Sequence, residues 1–250
     1  MVNLAAMHCN SSDFLTNAPL FVGSLGGDFS SINDHSEVFN RCDLVEIRWD
    51  LIDDVASEEQ KAVDFLLNQT RPLLHTARVP AEGGKRMMPI AGIKTVAAKI
   101  RPGDLWDVEL ATWLNEEERR EAFLQGWGEI APILVLSFHN FSVTPSLDEL
   151  KKRRDQARYA KAHIFKVATY LETETDVERL LALQNEDAGI AVATMGMGQF
   201  GADSRIRCAD AGSVLNYGYL GSQPTAPGQW EVGKLRDTFL ELKKGESRVD

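Results

Sequence analysis

Short apolar runs of strand length recur along this chain, separated by longer stretches with helical periodicity. The runs Leu20–Ser24, Asp43–Arg48, Pro72–Thr76, Leu105–Leu110, Ile133–Phe138, His163–Ala168, Gly189–Thr194 and Ser213–Tyr217 carry the branched and aromatic residues of buried strands. Amphipathic stretches occupy Ser57–Asn68, Glu116–Gln125, Leu147–Ala160, Thr175–Gln184 and Trp230–Lys243. Asp148 and Glu149 stand early in one of them, where the helix dipole favours negative charge. Ser57-Glu58-Glu59-Gln60 has the form of a capping box. A strand-then-helix unit of roughly 25–35 residues implies parallel strands joined by right-handed crossovers. Eight such units predict closure into a (β/α)8 (TIM) barrel, one α/β domain over residues 1–250 with 1–18 as a peripheral N-terminal extension. An open doubly wound sheet is the other candidate, but it would carry a Gly-rich phosphate turn after its first strand. Gly23, Gly26 and Gly27 do not make GxGxxG.

Several of these strands carry charge. Side chains alternate faces along a strand. In DLVEIRWD, Glu46 and Arg48 share one face while Val45, Ile47 and Trp49 share the other. The apolar face suits the helices, so the charged face must point into the barrel. Thr76 and Arg78 share a face at the next strand end, and Glu82 follows in a Gly-containing loop. Asp107 and Glu109 share a face; taken alone, they read as counter-ions for Arg48 and Arg78. His139 ends the fifth run, and Lys166 shares its face with Ile164 and Ala168. Barrel catalysts draw groups from the carboxyl ends of several strands, and buried charge is costly unless it is paired or used.

Lys166, between Ile164-Phe165 and Val167-Ala168, has little water available. Desolvation and nearby cations lower an amine's pKa and make it nucleophilic toward carbonyls, whereas a snorkelling lysine would merely reach solvent. His139 on the preceding strand suits the proton transfers that imine formation needs. Late in the chain, Arg205 is placed at the start of a helix after the seventh strand, and PTAPGQ follows the eighth. Barrels often bind anions there, and Arg205 can grip a carboxylate with help from Thr225 and Gln229.

Composition narrows the partners. A formal net charge of -10 and a pI near 5.1 argue against nucleic acid or anionic membranes, and make local arginines necessary for an anionic substrate. Cys9, Cys42 and Cys208 form no CxxC pair, and no HxH or HExxH spacing or P-loop is present. With neither a signal-peptide pattern nor an apolar run of about 18 residues, the expected setting is cytoplasmic.

In this order and spacing, EIRWD (46–50), TARVPAEGG (76–84), DLWDVEL (104–110), SFHNFSVTP (137–145), the Lys166 strand, MGMGQFGADSR (195–205), GS (212–213) and APGQ (226–229) resemble the type I 3-dehydroquinate dehydratase family. The likeness runs from Phe21-Val22-Gly23-Ser24 to PTAPGQW. It implies a (β/α)8 barrel, a homodimer, no metal or organic cofactor, and dehydration of 3-dehydroquinate to 3-dehydroshikimate in the shikimate pathway. By the same resemblance, Lys166 forms an imine with the C3 ketone. His139 takes the C2 proton and assists loss of the C1 hydroxyl, and Glu82 orients His139. Glu46, Arg48 and Arg78 fall on the hydroxyl-binding side, with Arg205, Gln229 and Thr225 on the carboxylate side, and Ser24 is a further substrate-binding position. Met195, Met197 and Tyr217 line the pocket. Thr225 stands where serine is common, and Asn140 where aspartate is. Two other readings use part of the pattern. A class I aldolase shares the lysine imine but usually needs a phosphate loop, and none is seen late in this chain. A non-catalytic barrel with a relic site would have no need to keep Lys166, His139 and Glu82 together.

Overall fold

In the computed structural model, which describes residues 19–25, 40–52, 58–68, 70–221, 224 and 228–246, strands and helices alternate along the chain. The strands are β1 (Leu20–Leu25), β2 (Leu44–Arg48), β3 (Leu73–Thr76), β4 (Leu105–Glu109), β5 (Ile133–Asn140), β6 (Ile164–Tyr170), β7 (Ala191–Met197) and β8 (Leu215–Leu220). Among the described residues, the helices are α1 (Glu58–Leu67), α2 (Ile90–Ala97), α3 (Leu110–Asn115), α4 (Glu117–Trp127), α5 (Leu147–Tyr159), α6 (Glu174–Gln184), α7 (Gly201–Asp210) and α8 (Val232–Glu246). All the strand pairings are parallel, and the sheet runs β7-β6-β5-β4-β3-β2-β1-β8. The two ends of that order meet: Val214 N donates to Val192 O at 3.1 Å, and Thr194 N to Ser213 Oγ at 3.1 Å. The barrel is therefore nearly closed, as the eight-fold repeat implied.

Two apolar clusters follow from the alternation of faces. One fills the space between sheet and helices, with Val45, Ile47, Trp106, Val108, Leu136, Phe165 and Val167 facing outward from the strands. The other lies inside the barrel, where Leu20, Val22, Leu44, Leu74, Leu105, Ile133, Ile164 and Leu215 pack against one another. Further along the same inward faces, toward the carboxyl ends of the strands, the residues become Ser24, Glu46, Thr76, Asp107, Ser137 and Lys166, all buried. An apolar plug thus carries a polar layer above it.

Local chemistry sets the helix starts. Ser146 caps α5 by accepting from Glu149 N at 3.3 Å, with Asp148 and Glu149 in the first turn; a cap of this kind contributes about 1 kcal/mol. Thr173 and Asp176 make a reciprocal capping box on α6. The box read at Ser57 lies outside the described residues, although α1 begins at Glu58. Helix α8 starts at Val232 because the Glu231 carboxylate accepts from Gly233 N and Lys234 N at 3.0 and 2.8 Å.

Several boundaries differ from the sequence reading. β5, β6, β7 and β8 run two or three residues further, so His139, Met195 and Met197 lie within strands. Arg205 does not begin its helix. The turn after β7, closed by Gly201 N to Gly198 O at 3.0 Å, starts α7 at Gly201 and leaves Arg205 in mid-helix, buried. Helices α2 and α3 have weak sequence signals: the first holds Gly92 and β-branched residues, and the second is six residues long and follows β4 without a loop.

Candidate active site

The polar layer is tied together across β3, β4, β5 and β6. Arg78, just past β3, reaches over the barrel. Its guanidinium donates to Asp107 Oδ2 at 2.8 Å, Glu109 Oε1 at 2.9 Å and Ser137 Oγ at 2.7 Å. Ser137 passes the connection on by donating to Asp107 Oδ1 at 2.6 Å. Lys166 completes it, with Nζ 2.8 Å from Asp107 Oδ2. The ladder register explains the convergence, since Thr76 sits opposite Asp107, Glu109 opposite Ser137, and Ser137 opposite Lys166. Burial alone would raise the Asp107 carboxyl, but the Arg78 and Lys166 charges outweigh it and hold the group well below the usual carboxylate range. Burial lowers the Lys166 amine from its ordinary 10.5; Asp107 opposes that shift and Arg78 adds to it. The Lys166 Nζ also lies 4.1 Å from the centre of the Tyr217 ring.

A second unit stands beside the first. Pro80–Glu82 forms a 3-10 turn closed by Gly83 at φ 87, a backbone state that disfavours a side chain. A Cβ on Gly83 would also fall 2.4 Å from the Phe141 ring. The turn aims Glu82 at His139, whose main-chain N–H and ring Nδ1 both lie 2.9 Å from Glu82 Oε2. With the carboxylate accepting at Nδ1, the lone pair of the neutral imidazole rests on Nε2. Burial, followed by the Arg78 and Lys166 charges, lowers the His139 pKa well below 6.5, so the ring is a neutral acceptor at rest. Burial raises the Glu82 carboxyl to about 7, against the pull of Arg78.

The third unit is on β1 and β2. Glu46 accepts from Ser24 Oγ at 2.5 Å and from Thr76 Oγ1 at 2.8 Å. Arg48 forms a fork with Asp50, Nε and NH2 each donating over 2.8 Å. On the β8 side of β1, Arg205 NH1 donates to the Tyr217 carbonyl at 2.9 Å, while its buried Nε has no partner among the described residues. Burial pushes the Arg205 pKa down to about 10.

These units surround one cavity, whose empty space including the open mouth is about 590 Å³. Its wall brings together Ser24, Glu46, Arg48, Arg78, Glu82 and His139 with Lys166, Met195, Met197, Arg205, Tyr217 and Gln229. Thr225 lies outside the described residues. Sequence reasoning undervalued Asp107 and Glu109. They do balance Arg78, but Arg48 takes Asp50 instead, and Asp107 bonds Lys166 directly. Ser137 and Phe141 were not singled out. Ser137 had a signal in its two-residue offset from His139 on one strand face. Phe141, whose ring centre lies 6.5 Å from that of His139, had none.

Fold and pocket together define a (β/α)8 barrel with a desolvated amine and an oriented imidazole at one cavity, the equipment of a carbonyl-handling lyase. Residues 28–246 match the sequence model of the family described as type I 3-dehydroquinase, and the chain belongs to that family. It is 32% identical over 209 residues to a 3-dehydroquinate dehydratase of Methanosarcina barkeri, covering 80% of this chain and 85% of the relative. It is 33% identical over 224 residues to one of Enterococcus faecalis, covering 82% and 84%. The crystal structure of 3-dehydroquinate dehydratase from Geobacillus kaustophilus superimposes with a TM-score of 0.72 at 26% identity, over 91% of this chain and 92% of that one.

Proposed function

We propose that this chain dehydrates 3-dehydroquinate to 3-dehydroshikimate through an imine on Lys166, as a carbon–oxygen hydro-lyase of the shikimate pathway. The observation that carries the mechanism is the Lys166 amine, buried and 2.8 Å from Asp107, in the same cavity as a His139 held by Glu82. The lysine ammonium gives a proton to His139, and the free amine adds to the C3 carbonyl. The carbinolamine hydroxyl leaves as water with the proton returned by His139, and the iminium that remains withdraws electrons and acidifies the adjacent C2–H. His139 Nε2 takes that proton, and the resulting enamine expels the C1 hydroxyl, which leaves as water with the proton from the imidazolium. Hydrolysis then frees the enone. Arg205 suits the carboxylate, and Glu46 with Arg48 and Arg78 suits the ring hydroxyls. Gln229 and Thr225 add donors on the carboxylate side, Ser24 supports Glu46, and Met195 and Met197 shape the wall.

The reading uses no metal or organic cofactor, so a chelator should leave turnover unchanged. Treating the protein with 3-dehydroquinate and borohydride should fix the ligand's mass on Lys166 while enone absorbance rises in the untreated control. Label on another residue, or turnover without label, would sink the imine mechanism. We further infer a homodimer, read from the family resemblance and testable by light scattering. Cytoplasmic placement is inferred from the buried thiols Cys42 and Cys208, which suit a reducing compartment; cell fractionation tests it.

A further inference from the structure

Buried hydroxyls normally have partners, and the phenol of Tyr217 has none among the described residues. The residue is 4% exposed, its ring packs over Lys166 Nζ at 4.1 Å, and it lines the cavity. Its Oη is buried and makes no hydrogen bond among the described residues. The carboxylates that act on it are Asp107 and Glu46, but both are engaged. Asp107 accepts from Arg78, Lys166 and Ser137, and Glu46 from Ser24 and Thr76. Phenylalanine would pack the same space without burying an unmatched donor. The hydroxyl is therefore matched to something that enters the cavity. Asp107 and Glu46 act on the phenol more strongly than the opposing Arg78; a carboxylate therefore belongs with Arg205, and the phenol is left for a neutral oxygen beside the amine.

Resting on the imine chemistry proposed above, we infer that Tyr217 is a further catalytic residue, whose hydroxyl donates a hydrogen bond to the substrate's carbonyl oxygen while Lys166 adds to the carbonyl carbon. As the C–N bond forms, the π pair of the carbonyl moves onto oxygen, and the phenol stabilises that developing charge. His139 gives this oxygen the proton it first took from the lysine ammonium and takes one from the new C–N ammonium in its place. The carbinolamine hydroxyl leaves as water with that second proton. The iminium keeps the remaining N–H, and Tyr217 keeps its proton throughout. Burial, with Asp107 and Glu46 opposing ionisation, holds the phenol well above its usual 10, consistent with a donor that does not itself ionise.

The test compares Tyr217→Phe with the unsubstituted enzyme by rapid-quench borohydride trapping with 3-dehydroquinate, by affinity for the ring acid bearing CH2 in place of the ketone, and by thermal unfolding. Imine formation should slow by about 10²-fold, the loss typical of removing one such donor. Affinity for the deoxy acid should be unchanged. The melting temperature should rise by about 2–4 °C, since an unmatched buried donor is gone. Trapping at the unsubstituted rate would overturn the assignment, and a lower melting temperature with that result would make the hydroxyl a packing group. If the unsubstituted enzyme itself forms no imine, the lysine mechanism fails and this role falls with it, an outcome visible before any variant is made.

Discussion

Replacing Asp107 by asparagine tests whether the polar layer holds the nucleophile in check. The carboxylate receives Lys166 Nζ and an Arg78 nitrogen on one oxygen, each at 2.8 Å, and Ser137 on the other at 2.6 Å. At 2.8 Å and an effective dielectric of about 20, the Coulomb attraction to the ammonium is about 6 kcal/mol, a ceiling before desolvation is counted. Breaking a buried pair by removing one partner costs about 3–5 kcal/mol. Arg78 retains Glu109 and Ser137, which keeps the loss toward the lower end. For a chain of this size, about 2–4 °C per kcal/mol gives a melting temperature lower by roughly 6–12 °C. The kinetic effect has the opposite character. Asp107 favours the charged amine, so its removal lowers the Lys166 pKa further and enlarges the free-amine fraction at any given pH. The acidic limb of the kcat/KM profile should move to lower pH, measured by enone formation at a temperature well below unfolding. A limb that stays in place or moves upward would refute the idea that this carboxylate restrains the amine.

Changing Lys166 to Ala should abolish turnover and borohydride labelling while noncovalent ligand binding survives in calorimetry. Changing Arg205 to Ala should raise KM far more than it lowers kcat, by roughly 30-fold or more for a lost buried charge contact; an unchanged KM would remove it from carboxylate binding. His75 gives a stability test away from the pocket. Its Nδ1 accepts from Trp49 Nε1 at 3.2 Å and its Nε2 faces Asp104 at 3.3 Å, a pattern that fits only the neutral ring. Burial lowers its pKa below the ordinary 6.5, so its contribution is complete above that value and is lost as pH falls toward the folded pKa. Denaturant titrations between about pH 5 and 8 should show stability falling on the acid side, with a shallower slope for His75→Gln.

The architecture was legible because period-two faces survive in short strands: Val45/Ile47 against Glu46/Arg48 tells inside from outside without any coordinates. Charge on such faces also located the cavity. What the chain hid was partnership. Nothing in the sequence says that Arg78 chooses Asp107, Glu109 and Ser137, or that Arg48 folds back on Asp50, because those choices depend on the stagger between neighbouring strands. Helix α3 was hidden for a different reason, since six residues directly after a strand leave no room for a period to repeat. Arg205 was misplaced within its helix because the start is set by a backbone turn at Gly198 and Gly201, not by a capping side chain.

The lattice of ions on β3 to β6 also bears on how this scaffold can be retooled. Each donor there is already committed to an acceptor, so altering one strand's contribution disturbs groups on three others. The thioethers of Met195 and Met197, on the adjoining strand β7, have no such obligations and are compliant in shape. A collection of variants randomised at those two positions would sample new ring substituents while leaving the reactive centre intact, making β7 the natural place to begin redesigning which cyclic ketones enter.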